Sequence, residues 1–326
     1  MRLARVGPPG REVPVVVAPD GRLLDLRPLT RDVDGPFLEQ GLARAALAAT
    51  SGALPPLDPP DGIRFGAPVA RPGKVVGIGL NYHCYARAVG APAPAEPVVF
   101  LKATSALCGP TDPVRLLPGS TTTDHEVELA VVVGRVLRDA SPAEALAGVA
   151  GYALADDLSD RDLQLERGGT WTKGKSADTY CPLGPWLVTP DELGDPASLR
   201  LTLDVNGERR QDGSTADLVF GVADVLAYVS GLMTLEPGDV VITGTPAGVA
   251  LGRPEPRPYL RAGDVLELDG GPLGSHRNVV TAADVAAAGS HPHRPARPHH
   301  HLAAAAGPGA ATVGAGRPAH RQTRRT

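Results

Sequence analysis

The chain has 326 residues, 42% hydrophobic and 21% charged, with a formal net charge of -4, enough for one large domain or a large one with a small partner. From Thr281 onward six arginines face the single acid Asp284, which makes that tail +5 and leaves -9 on the body, a poor match for the phosphate attraction on which nucleic-acid binding rests. The start lacks the apolar run of a secretory leader, no stretch reaches the ~18 apolar residues of a membrane span, and Cys84, Cys108 and Cys181 form no CxxC pair; a cytoplasmic protein with neither nucleic-acid nor membrane partners is expected.

Aromatics are only 4% of the chain, so Val, Leu and Ala must supply the core, and 39 Gly with 34 Pro favour turns over a helical bundle. The first expected elements are short strands at Val13–Ala18 and Leu23–Leu26, joined by the turn sequence Pro19-Asp20-Gly21. A helical stretch over Phe37–Ala49 follows, and then residues 54–62, too proline-rich for helix or sheet. Residues 1–65 therefore read as a small N-terminal domain.

From Lys74 the texture changes. Apolar, β-branched runs recur at Val75–Ile78, Val98–Leu101, Val127–Val133, Leu201–Val205, Val240–Thr243 and Val265–Leu268, with helical stretches at Pro142–Gly148 and Val222–Met233. Strands and helices do not alternate regularly, so the expected fold class over 66–280 is α+β and β-rich, not doubly wound. Residues 281–326 are low in complexity, have no period and cannot build a core. They read as a disordered tail that truncation should remove without loss of stability; the run His299-His300-His301 belongs to it.

Four segments carry chemistry. In Asp124-His125-Glu126-Val127-Glu128-Leu129 the i, i+2 spacing puts Glu126 and Glu128 on one face of a half-buried strand. Two like charges side by side repel, and a hard divalent cation is the natural partner; a solvated strand face is the alternative. Asp156-Asp157-Leu158-Ser159-Asp160-Arg161-Asp162 offers a further carboxylate, or else a polar loop. Gly169 to Ser176 formally matches a P-loop, but Trp171, the lack of a preceding strand and Pro182 exclude an ATPase. In a chain with only four lysines, Lys173 and Lys175 instead offer a compact cation for a carboxylate or enolate. The turn Thr243-Gly244-Thr245-Pro246-Ala247-Gly248 can present N–H and hydroxyl groups to an anion.

Taken in order, these segments resemble the fumarylacetoacetate hydrolase family. The similar stretches include Gly79-Leu80-Asn81-Tyr82, Phe100-Leu101-Lys102, His125-Glu126-Val127-Glu128-Leu129, Arg161-Asp162 with Gln164, Gly174-Lys175-Ser176, Pro182-Leu183-Gly184-Pro185, Val205-Asn206-Gly207-Glu208 and the turn from Thr243, across about 73 to 280. The resemblance implies a mixed β-roll, a homodimer, and Mg²⁺ or Mn²⁺ held by Glu126, Glu128 and Asp157, Asp157 being four residues before Arg161. It further implies substrate contacts from Arg161, Gln164, Lys175 and Thr245, on a small 2-oxo or β-diketo acid. Lys102 matches a family lysine without an assigned role. One departure stands out: the places of the usual lid His and Glu hold Tyr85 and Ala88. His83, two residues early, and Tyr85 are the candidates for the vacated catalytic position. Three functions remain open: a carbon–carbon bond hydrolase, which needs a base to activate water; an isomerase, tautomerase or decarboxylase; and a non-catalytic binding protein.

Overall fold

A computed structural model describes residues 1–283 of the chain; the tail expectation for 284–326, with its histidine run, lies outside them. The largest sheet has eleven strands. Ten follow one path: Pro56–Leu57, Leu23–Asp25, Val13–Val17, Arg2–Val6, Cys181–Val188, Val149–Asp156, Val127–Val133, Val240–Ile242, Val75–Gly79 and Val98–Lys102. It is mixed: Val240–Ile242 runs parallel to Val75–Gly79 but antiparallel to Val127–Val133. A five-stranded sheet orders Glu208–Ser214, Arg200–Val205, Val265–Asp269, Ser275–Thr281 and Val114–Arg115. Few and short helices accompany these sheets, as the α+β, β-rich reading expects.

The strand Val127–Val133 shows how the site is positioned. Its side chains alternate between two cores. Val127, Leu129, Val131 and Val133 share one with Leu201, Leu203, Leu266 and Leu268 of the five-stranded sheet and with the helix Val222–Leu232. Ala130 and Val132 share the other with Leu3, Val16, Phe37 and Ile242. The strand is therefore buried on both faces, where the sequence suggested half-burial. The two glutamates fall on the second face, and burial makes their charges expensive to leave unmatched.

The N-terminal block joins the large sheet. Arg2–Val6 pairs antiparallel with Cys181–Val188, in the register Arg2↔Val188 and Leu3↔Leu187. Residues 1–65 thus contribute four strands to the large sheet, and the described residues form one compact unit. Arg2 and Arg5 hide this strand from a hydropathy reading; Arg5 is tolerated because Asp32 accepts from its guanidinium at 2.6 Å. The helix expected over Phe37–Ala49 is two, Gly35–Gln40 and Leu42–Thr50, interrupted at Gly41.

Candidate active site

Three carboxylates converge where the strand Val127–Val133 begins. Glu126 and Glu128 share its face by the period of two, and the neighbouring strand Val149–Asp156 pairs Asp156 with Val127, which delivers Asp157 beside them. One oxygen from each of Glu126, Glu128 and Asp157 lies within 4.8 Å of the others. All three side chains are buried.

Buried cations answer part of this charge. Lys175 Nζ donates to Glu126 Oε2 at 2.7 Å, to Asp157 Oδ2 at 2.5 Å and to Ser159 Oγ at 2.7 Å. Arg161 donates to Glu126 Oε1 at 2.6 Å, to Asp124 Oδ2 at 3.0 Å and to Gln164 Oε1 at 2.9 Å. Lys102 donates to Asp157 Oδ1 and to the Leu158 carbonyl. Even so, the acids Asp124, Glu126, Glu128, Asp156 and Asp157 outnumber the cations Lys102, Arg161 and Lys175, so the cluster cannot ionise all its carboxylates without further positive charge.

The proton affinities follow. Burial opposes ionisation of Glu126, yet Arg161 and Lys175 hold it down at about 2. Glu128 goes the other way: burial, then Asp157 and Glu126, push it well above the ordinary carboxylate range. Burial pushes Asp156 up to about 7. Lys175 is raised despite its burial, because Asp157 and Glu126 favour its charge.

The cluster forms the floor of a cavity of about 170 Å³. One apolar wall is Phe100 and Trp171, ring centroids 5.6 Å apart, with Lys175 Nζ 4.8 Å from the Phe100 centroid. Trp171 is seated over Gly79, where an added Cβ would fall 2.2 Å from the indole. A second wall comes from Leu80, Tyr85, Val89 and Leu251. Gly244, at φ +100°, turns its N–H onto Glu128 Oε2 at 2.7 Å, a backbone shape that side-chain-bearing residues rarely adopt. Thr245 lines the cavity as expected and donates to the Val127 carbonyl at 2.9 Å.

His83 and Tyr85 separate. They sit on the short helix His83–Ala88, where two residues turn the side chain by ~200°. Tyr85 faces the cavity and is buried, its hydroxyl pushed up to about 12 by that burial. His83 is exposed and outside the lining. The structure thus gathers every expected site residue except His83.

Two contributors were given no role from the sequence. Lys102 reaches Asp157 only because the sheet brings together residues 55 apart. Gln211, from the five-stranded sheet, accepts from the Val127 N–H at 3.0 Å and donates to Thr245 Oγ1 at 2.8 Å and to the Pro246 carbonyl at 2.9 Å. It ties the carboxylate strand to the Thr245 turn. Gln211→Leu should cost about 2–4 kcal/mol in urea denaturation, because each buried group left unpartnered costs ~1–3 kcal/mol. A loss below ~0.5 kcal/mol would mean that the tie carries little.

Residues 74–281 match the profile of the family described as fumarylacetoacetate (FAA) hydrolase C-terminal. A 2,4-didehydro-3-deoxy-L-rhamnonate hydrolase of Sphingomonas sp. (strain SKA58) is 47% identical over 285 residues, 86% of this chain and 96% of that one. Fumarylacetoacetate hydrolase from psychrophilic Exiguobacterium antarcticum superposes with a TM-score of 0.76 at 36% identity, over 86% of this chain and 99% of its own. Maleylpyruvate hydrolase from Sphingobium sp. SYK-6, solved with manganese(II) and pyruvate, gives a TM-score of 0.70 at 32% identity, over 87% of this chain and 100% of its own.

Proposed function

The chain belongs to the fumarylacetoacetate hydrolase family, and from that premise we propose an Mg²⁺- or Mn²⁺-dependent enzyme that forms the enolate of a small 2-oxo or β-diketo acid. One observation carries this reading: three buried carboxylates within 4.8 Å of one another, at the floor of a cavity, in a cluster where acids outnumber cations. The donor set suits a hard divalent ion, since all three ligands are oxygens. That a relative was solved with manganese(II) and pyruvate supports the choice.

Glu126, Glu128 and Asp157 would hold the ion, which when bound supplies Lewis-acid polarisation of a substrate oxygen. Arg161, Gln164 and Thr245 orient the acid at the floor. Lys175, raised above its ordinary value by Asp157 and Glu126, stays charged at neutral pH and stabilises negative charge growing on the substrate. Phe100 and Trp171 exclude water from that end. Tyr85, protonated at neutral pH, can give a proton but not take one. A cytoplasmic homodimer without membrane or nucleic-acid partners completes the proposal; among the described residues no helix is long and apolar enough to cross a membrane.

With Tyr85 and Ala88 in the places of the usual His and Glu, the described lining holds no His, and its carboxylates Glu126, Glu128 and Asp157 are those proposed for the ion, which leaves none to activate water. General acid–base assistance contributes ~10²–10⁴-fold, so cleavage of simple acylpyruvates should be slowed by about that much while enolate formation persists. The expected result is metal-dependent exchange of the pyruvate methyl protons in deuterium oxide, followed by NMR, beside weak cleavage of acetylpyruvate. No exchange above a metal-free control would sink the proposal. A second reading, efficient hydrolysis, is favoured by the name of the Sphingomonas relative; rapid cleavage that survives His83→Ala would establish it and require another base.

A further inference from the structure

The cations at the cavity floor are already matched by acids. Arg161 is held by Asp124 and Glu126, and Lys175 by Glu126 and Asp157. The described lining contains no other Lys, Arg or His. His83 and Arg87, on the helix that carries Tyr85, are exposed and outside it. Away from the floor the lining is mostly apolar on both sides: Phe100 with Trp171, and Leu80 with Val89 and Leu251, the Tyr85 ring lying beside the latter. The cavity has a volume of about 170 Å³.

We propose that the substrate is a monocarboxylic 2-oxo acid whose far end is short and uncharged, and that Leu80, Val89 and Leu251 set this preference against acids with a carboxylate at both ends. The inference rests on the enzymatic reading above and narrows it. One carboxylate can be met at the floor, where the ion site, Arg161 and Lys175 lie. A second, carried against Leu80, Val89 and Leu251, would lose water there and meet no cation, with the Tyr85 hydroxyl as the one side-chain donor of that wall. An alkyl end meets no such penalty and gains from leaving water.

The test uses a matched pair, 2,4-dioxoheptanoate and 2,4-dioxoheptanedioate, which differ only in a terminal methyl against a carboxylate. Each is given to the full-length protein with Mn²⁺. Cleavage adds water across the C3–C4 bond, releasing pyruvate with butanoate or with butanedioate, and calorimetry gives each dissociation constant independently of turnover. The monoacid should be favoured by on the order of 100-fold or more, since an unpaired charge is rejected more strongly than an added hydroxyl in an apolar pocket. Leu251→Arg and Val89→Arg, both at half-buried positions, should each tighten diacid binding and shrink the gap to about tenfold or less. Equal or better binding of the diacid by the unaltered protein overturns the inference, as does failure of both acids to bind. Pyruvate exchange judges the enzymatic reading separately, so either can fail while the other stands.

Discussion

Glu128→Gln should weaken Mn²⁺ and Mg²⁺ binding by ~100-fold or more, while leaving the metal-free protein at least as stable as its parent. Changes behind a metal's own ligands typically cost ~10–100-fold in affinity, and Glu128 is proposed as a ligand itself. The opposite sign for stability comes from the charge arrangement. Glu128 is the carboxylate that burial, Asp157 and Glu126 together push well above its ordinary range. A neutral amide removes that conflict and still accepts from the Gly244 N–H, which sits 2.7 Å from the carboxylate. Calorimetry and thermal melts on the two proteins decide the matter. Unchanged metal affinity would remove the triad from the proposal, whatever the melts showed.

Lys175→Met should act in the reverse direction on the metal-free protein. Its ammonium is shared between Glu126 and Asp157, both buried. Breaking a buried ion pair by deleting one partner typically costs ~3–5 kcal/mol, because the remaining charge has lost its answer. Urea denaturation should show a loss of that size without metal, and a large part of it regained with saturating Mn²⁺, which would offset the same carboxylates. Pyruvate exchange should also fall, by ~10²–10³-fold, the usual cost of one donor to a developing anion. A metal-free loss under ~1 kcal/mol, with exchange near that of the parent, would show that Lys175 neither balances the carboxylates nor serves the enolate.

The glutamate pair was legible because a strand's period of two is a local rule. It needs no knowledge of what lies across the sheet, and the runs Val75–Gly79, Val127–Val133 and Val265–Asp269 could be read the same way. What could not be read is what topology alone supplies. Gln211 lies on Glu208–Ser214, a strand of polar residues with no apolar alternation to announce it. Cys181–Val188 contains Pro182 and Pro185, which argue locally against a strand, yet it joins the N-terminal block to the rest of the sheet. His83 shows the same limit: two residues from Tyr85 on the short helix His83–Ala88, it is turned away from that side chain and lies outside the cavity lining. Asp157 needed the family pattern to distinguish it from Asp156. In the structure the two divide plainly, Asp157 bonded to both lysines and Asp156 accepting from the Glu126 N–H at 2.8 Å.

The parallel pairing of Val240–Ile242 with Val75–Gly79 has a consequence for synthesis on the ribosome. Val240–Ile242 is the last of the large sheet's strands to be made, yet it lies in the middle, between Val127–Val133 and Val75–Gly79. At ~5–20 residues per second, the roughly hundred residues between Val133 and Val240 take several seconds or more to emerge. Throughout that interval two apolar strand edges wait for the same missing neighbour, the kind of exposed edge that pairs with other chains. A chain terminated before Val240 would keep both edges permanently open. It would also lack the Gly244 and Thr245 contacts to Glu128 and Val127, so the carboxylate floor is completed only after Thr245 has emerged.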